Sequence, residues 1–170
     1  MRVLGIDCGS EVTGYGVVEQ GPDGSLWPVA ADAIRLSPRD ALAQRLSRIF
    51  HELCAASERH QPHSVAIEDI FYAVNVKSAL KLGQVRGVAM LAAAHCGLEV
   101  AEYAPLAIKS AVVGYGKAEK AQVQHMVARL LRLDAPPESP DVADALAIAI
   151  CHLHVQATLT RQHAGARHSS

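Results

Sequence analysis

Val3-Leu4-Gly5-Ile6-Asp7-Cys8-Gly9-Ser10 is the stretch that decides the fold. It reads as a short apolar strand that runs into an acid and then a glycine turn. Successive side chains on a strand point to opposite faces, so Val3, Gly5 and Asp7 share one face while Leu4 and Ile6 take the other. Both faces are then covered, and the Asp7 carboxylate stands at the strand's end with limited access to water. Taken alone, Asp7 serves equally well as the residue that starts the Gly9-Ser10 bend. Its meaning depends on what the rest of the chain brings to it.

Outward from that strand, Val12-Thr13-Gly14-Tyr15-Gly16-Val17-Val18-Glu19 is rich in β-branched and aromatic residues, and Gly21-Pro22-Asp23-Gly24 supplies a turn before a third extended stretch, Leu26 to Leu36. Such tight connections make the three strands antiparallel. From Ala41 to Arg59, Leu42, Leu46, Ile49, Phe50 and Leu53 fall at helical spacing, and Pro62 marks the end of an amphipathic helix that covers the sheet. Ser64 to Glu68 is a short buried strand that also finishes on an acid. Alternation puts Glu68 on one face and Asp69 on the other, so only one of them can join Asp7, and Glu68 is the choice.

Residues 70–75 follow as a loop with two aromatics. Val76 to Cys96 reads as a helix in which Gly83 and Gly87, one turn apart, suit tight packing on the sheet or on a partner subunit. Residues 97–103 form a fifth strand, parallel to the fourth because a helix separates them. A short helix over 104–113, a flexible Gly114-Tyr115-Gly116 connection and a helix over 118–133 come next. Lys120 in that helix's first turn opposes the helix dipole by roughly 0.3–1 kcal/mol, so something else must favour it there, and a phosphate would do so. After a linker over 134–138, Ser139 is a good N-cap with Pro140 at the first position of the last helix. One domain over 1–155 and a mobile, polar tail over 156–170 are expected.

Half of the 170 residues are apolar and 19% are charged, a globular composition. No apolar run approaches the roughly 18 residues of a membrane span, and the N-terminus carries no secretion signal, so a cytoplasmic protein without membrane attachment is expected. Cys8, Cys54, Cys96 and Cys151 are far apart and form no Cys-x-x-Cys pair, so they read as reduced core residues. The net charge of −1 hides an asymmetry. Between Lys77 and Arg132 eight cations face only Glu99, Glu102 and Glu119, and a locally basic middle is what a polyanion would meet.

Asp141 and Asp144 lie three apart on the last helix and share a face, while Val142, Leu146, Ala149 and Leu153 define its packed side. Asp141 also fits as a first-turn acid favourable to the helix dipole. Asp144 lies past the cap among Ala143, Ala145 and Leu146, where an acid needs another reason. If Asp7, Glu68, Asp141 and Asp144 converge, each carboxylate pair about 4 Å apart repels by roughly 4 kcal/mol at an effective dielectric of 20. A cluster of that kind must bind cations or hold protons. Oxygen ligands without a His-Cys set favour Mg²⁺, with Mn²⁺ as a substitute, over zinc. Two such ions would activate a water and stabilise the leaving oxygen of a phosphodiester.

At these residues the chain resembles a known family. Gly5-Ile6-Asp7-Cys8-Gly9-Ser10 with Thr13-Gly14-Tyr15-Gly16, then Ile67-Glu68, Ser78-Ala79-Leu80-Lys81-Leu82-Gly83-Gln84, Gly87-Val88-Ala89, Ala118-Glu119-Lys120, Gln122-Val123-Gln124-His125-Met126 and Asp141-Val142-Ala143-Asp144-Ala145-Leu146-Ala147 are similar to the RuvC Holliday-junction resolvases. The resemblance runs from about residue 2 to residue 154. It implies an α/β protein with an RNase H-like mixed five-stranded sheet flanked by helices. It also implies a homodimer and a Mg²⁺-dependent endonuclease, with two ions per active site, that nicks two strands of like polarity symmetrically across four-way junction DNA.

The family's four acids map onto Asp7, Glu68, Asp141 and Asp144, its catalytic lysines onto Lys109 and Lys120, and its stacking loop aromatic onto Phe71. The resemblance further implies work with the RuvA–RuvB branch-migration machinery. Cys8 stands where the family often has proline, and Val74 where a basic residue is common. Lys77, Lys81, Arg86 and Lys117 complete the expected DNA contacts, although a face with Lys77, Lys81 and Gln84 also suits plain solvation. Two other readings stand beside the nuclease. A Gly-x-Asp-x-Gly turn with a following Thr-Gly also cradles nucleotide phosphates in actin-like ATPases, which need two such lobes and a longer chain. A junction-binding protein without catalysis would not need four acids.

Overall fold

The structure, a computed structural model, describes residues 1–69 and 76–167, with side chains described as far as Gln162. The expected loop over 70–75, and with it Phe71 and Val74, lies outside the described residues.

Strands β1 (Arg2–Asp7), β2 (Val12–Gln20) and β3 (Leu26–Arg35) form an antiparallel meander. Helix α1 (Leu42–His60) crosses to β4 (Ser64–Glu68), which pairs parallel to β1, and α2 (Val76–His95) crosses to β5 (Glu99–Tyr103), parallel to β4. The sheet order is therefore β3-β2-β1-β4-β5, the mixed five-stranded RNase H-like arrangement. Pro28 is tolerated because β3 is an edge strand, and the register shifts beside it, between Val17 and Val18. Helices α3 (Pro105–Val113), α4 (Lys120–Leu130) and α5 (Pro140–Arg167) complete the chain.

The alternation read from the first strand separates two cores. Leu4 and Ile6, with Val17, Val65 and Ile67, pack beneath α1 and α2 through Ile49, Leu53, Val85 and Ala89. On the other face Val3, Val18 and Ala66 meet α5 through Leu146, Ile148 and Ile150, and α3 and α4 flank α5 there. The ends of the helices follow local chemistry. Gln61 takes a left-handed conformation (φ 48°) ahead of Pro62 and stops α1, while Gly114 (φ 94°) stops α3.

Four expectations need correction. The fourth helix ends at Leu130 and not at 133, because Arg132 turns left-handed at φ 54°. No atom approaches within 4 Å of a Cβ built on Gly83 or Gly87, so among the described residues that pair does not pack on the sheet, and of the two expected alternatives only the partner subunit is left open. The last helix does not give way to a tail at 156 but continues to Arg167, since nothing in Gln156-Ala157-Thr158-Leu159-Thr160-Arg161-Gln162 breaks it. Finally, α5 is long and apolar enough to cross a membrane over Pro140–Gln162, with a mean hydropathy of 1.5 in its most apolar window. That apolarity is used internally: every residue from Val142 to Leu153 is buried except Asp144.

Candidate active site

Asp7 and Glu68 end adjacent parallel strands. Ile6 pairs with Ile67, so the two acids are the next residues in register, both at the C-terminal edge of the sheet. Asp69, just past the strand, meets Arg86 at 3.4 Å instead.

What brings Asp141 and Asp144 to this edge is the absence of side chains. Gly5 pairs with Gly16 and Asp7 with Gly14, so Gly5, Gly14 and Gly16 lie on the Asp7 face of the sheet. A Cβ on Gly14 would lie 2.1 Å from the Asp141 carbonyl oxygen, and one on Gly5 would lie 2.1 Å from that of Ala145. One on Gly16 would lie 2.7 Å from Leu146 Cδ2. The first turns of α5 therefore rest directly on the backbone of β1 and β2. The composition of these strands held the signal for this contact, which the sequence reading did not use.

The turn after Asp7 is fixed by hydrogen bonds. The fully buried Thr13 Oγ1 donates to the Gly9 carbonyl at 2.9 Å, and Arg45 Nη1 donates to the Ser10 carbonyl at 3.0 Å. A turn held in this way does not need a proline at position 8. Burial and the charge of Asp7 push the Cys8 thiol up to about 12, so it is a protonated bystander.

The electrostatics identify a cluster. Burial, followed by the charges of Asp144, Glu68 and Asp141, raises the Asp7 carboxyl from 3.8 to about 7, and Lys120 opposes the rise. Glu68 is raised by burial and by Asp144, with Lys109 and Lys120 pulling it back. Lys120 Nζ sits 2.7 Å from Asp144 Oδ2, a bond that raises the lysine's own pKa. This is the compensation that its place at the helix start called for, supplied by a carboxylate. Ser139 Oγ, at the start of α5, lies 3.5 Å from Asp141 Oδ2.

A cleft of about 280 Å³ opens here, walled by Glu68, Lys109, Lys120 and Asp144 over Ile108 and Val123. All four expected acids and both expected catalytic lysines thus belong to one neighbourhood. The donor set is entirely oxygen and carries more negative charge than two lysines balance, which is the chemistry of a hard divalent cation. Among the described residues, no three His, Cys, Asp or Glu side chains are already closed on a common point as a metal-holding group.

The other expected contacts fare differently. Lys77 and Lys81 are exposed on α2, and Lys117 is exposed just before α4. Arg86 is only 16% exposed and is turned inward. It pairs with Glu102, reaches Asp69 at 3.4 Å and donates from Nε to the Glu68 carbonyl at 3.3 Å. An arginine spent in this way braces the ends of β4 and β5, and no charge signal in the sequence distinguished it from a surface cation. A second brace also went unread: His152, buried in α5, bonds Ser64 Oγ at 3.1 Å through Nε2 and the Tyr103 hydroxyl at 2.8 Å through Nδ1. That tie joins α5 to β4 and β5.

Comparison with known proteins adds a family to this geometry. Residues 3–152 match the model for the crossover junction endodeoxyribonuclease RuvC. The chain is 68% identical over 166 residues to the crossover junction endodeoxyribonuclease RuvC of Koribacter versatilis, covering 98% of this chain and all of that one. It superposes with a TM-score of 0.87 on Thermus thermophilus RuvC in complex with a Holliday junction substrate, at 33% identity, covering 92% of this chain and 94% of that one. The yeast mitochondrial Holliday junction resolvase Ydc2 shares the fold, with a TM-score of 0.71 at 14% identity over 99% of this chain and 86% of that one. Strand ends that carry acids, a helix seated on glycines and a match over almost the whole chain agree: this protein belongs to the RuvC family of crossover junction endodeoxyribonucleases.

Proposed function

We infer that the protein is an endodeoxyribonuclease that resolves four-way DNA junctions by metal-dependent hydrolysis of phosphodiester bonds, with Mg²⁺ as the working ion and two ions per site. One observation carries the reading. Asp7 is half-buried among three further carboxylates and drawn up to about 7, a charge that asks for cations. The family supports the substrate, since a relative of this fold and sequence binds a Holliday junction.

Asp7, Glu68, Asp141 and Asp144 would hold the ions, which supply activation of a water and stabilisation of the leaving oxygen. The strand ends and the glycine-seated helix fix the backbones of these residues, so ordering them is a matter of side-chain torsion. Glu68 is presented by a strand that Arg86 pins from behind. Lys120 offsets part of the cluster's charge through Asp144, and its ammonium, largely exposed at the rim, is placed to meet a phosphate oxygen. Lys109 shares the same wall as Glu68 and offers a second cation to the strand. Lys77, Lys81 and Lys117 extend the basic surface along which the backbone of a junction arm would run, a contact that weakens steeply with salt.

A homodimer is part of this reading, because symmetric nicks need two sites. Helix α2 supports it with a stripe that nothing in the described chain covers: Val76 (76% exposed), Leu80 (65%), Gly83, Gly87 and Leu91 (58%) share one helical face. Partnership with RuvA–RuvB and a cytoplasmic location go with the same proposal.

Incubating the protein with labelled four-way junctions and with linear duplex, with and without Mg²⁺, tests the function. Cleavage of the junction alone, and only with Mg²⁺, is expected. Equal cleavage of both substrates would remove the structure selectivity, and cleavage in chelator would remove the metal.

A further inference from the structure

Two of the four cysteines meet in space. Cys54, on the C-terminal half of α1, and Cys96, just past the end of α2, are neighbours, and burial together with the nearby Cys96 thiol raises the Cys54 thiol. The helices pack against each other, and the rings of Phe50 and His95, four residues before Cys54 and one before Cys96, meet at a tilt of 55° with centroids 5.4 Å apart. The backbone at Cys96 is held by the turn that ends α2: Cys96 N donates to the Ala92 carbonyl at 3.1 Å, Leu98 N donates to that of Ala93 at 2.9 Å, and Gly97 is left-handed at φ 71°.

Both cysteines are half-buried. Cys96 lines a cleft of about 190 Å³ together with Ser57, Glu58, Gln61 and His95, whereas Cys54 is not among the residues that line it. Cys8 and Cys151 have no such neighbour: one lies beside the acids and the other is fully buried in α5.

We propose that Cys54 and Cys96 are a redox modification site, at which a hydroperoxide converts the two thiols into a reversible intramolecular disulfide. With hydrogen peroxide as the oxidant, the sulfur of Cys96, which lines the cleft, attacks one peroxide oxygen; the O–O bond breaks, the departing hydroxide takes the Cys96 thiol proton and leaves as water, and Cys96 becomes a sulfenic acid. The Cys54 sulfur then displaces the hydroxyl from Cys96, the S–S bond forms, and the proton from Cys54 leaves with the hydroxyl as a second water. Two electrons pass from the thiols to one peroxide, and a dithiol reductant reverses the step. Burial and the nearby Cys96 thiol raise the Cys54 thiol to about 11, which suits it to the second position in this order.

The link would tie α1 to the far end of α2. It lies before the start of β5, whereas Asp7 and Glu68 stand at the opposite, C-terminal ends of β1 and β4, so the nuclease site is not touched.

The test treats the native full-length protein with hydrogen peroxide, blocks free thiols, and maps the cysteines by peptide mass spectrometry before and after dithiothreitol. A Cys54–Cys96 peptide lighter by two hydrogens is expected, lost on reduction, with Cys8 and Cys151 still free. The oxidised protein should melt at a higher temperature than the reduced one, and both Cys54→Ser and Cys96→Ser should abolish that difference. If only one serine variant folds, that variant is sufficient. The proposal is overturned by over-oxidised Cys96 beside free Cys54, by links between chains, or by a Cys54–Cys96 link no more abundant than links to Cys8 or Cys151.

Discussion

Lys120 Nζ lies 2.7 Å from Asp144 Oδ2, joining the first turn of α4 to the first turns of α5 across the mouth of the acidic cleft. A lysine at a helix N-terminus sits against the dipole, and this carboxylate is what makes the position favourable. The same charge keeps the cluster's protons looser, since Lys120 lowers both Asp7 and Glu68. The pair therefore tunes the site as well as closing it.

Replacing that lysine should be felt in the pH profile. Lys120→Met removes the cation that opposes protonation of Asp7, so single-turnover junction cleavage should fall by about a hundredfold or more and its acid limb should move to higher pH. An unchanged limb with an unchanged rate would separate Lys120 from the cluster.

The seating of α5 on glycine predicts a structural cost. In Gly5→Ala the new methyl would start 2.1 Å from the Ala145 carbonyl, with Ala149 also in the way, so the helix must lift from the sheet. Overpacking of this kind costs about 1–3 kcal/mol, read as a lower denaturant midpoint. A midpoint equal to wild type would mean that the helix does not rest on this strand.

Stability without divalent cations should fall as pH rises. Asp7 binds its proton more tightly when folded, up to about 7, than when unfolded, at its ordinary 3.8. Its contribution is therefore fully present below pH 4 and lost as pH climbs to 7, a change on the order of 4 kcal/mol at most. Denaturant melts in chelator between pH 4 and 8 should show that decline, reduced in Asp7→Asn. A flat or rising curve would remove the half-buried, crowded carboxyl.

The uncovered stripe on α2 predicts an oligomer. Leu80→Glu combined with Leu91→Glu places charges where two copies would meet, and sedimentation should show half the wild-type mass with unchanged circular dichroism. Equal masses for the two proteins would place the dimer contact elsewhere, or nowhere.

Much of this was legible in the chain because it rests on short-range patterns. Period two separated Glu68 from Asp69 and put Asp7 on the face of Gly5, and caps and breakers placed Pro62, Gly114 and Pro140 at helix ends. Contacts made through space left no such trace. Arg86 reads as a surface cation until Asp69 and Glu102 are seen around it. Cys54 and Cys96 read as isolated because they meet only when α1 packs on α2. The length of α5 was underestimated because a polar segment reads as a tail unless something shows that it keeps its helical turns.

The central claim is that four carboxylates gather divalent ions for phosphodiester cleavage, and the single-turnover rate of Asp7→Asn on a labelled four-way junction in Mg²⁺ tests it most directly. A loss of at least about a thousandfold is expected, equivalent to about 4 kcal/mol of barrier, with junction binding intact or tighter because one negative charge facing the phosphates is gone. A rate within tenfold of wild type would contradict the assignment.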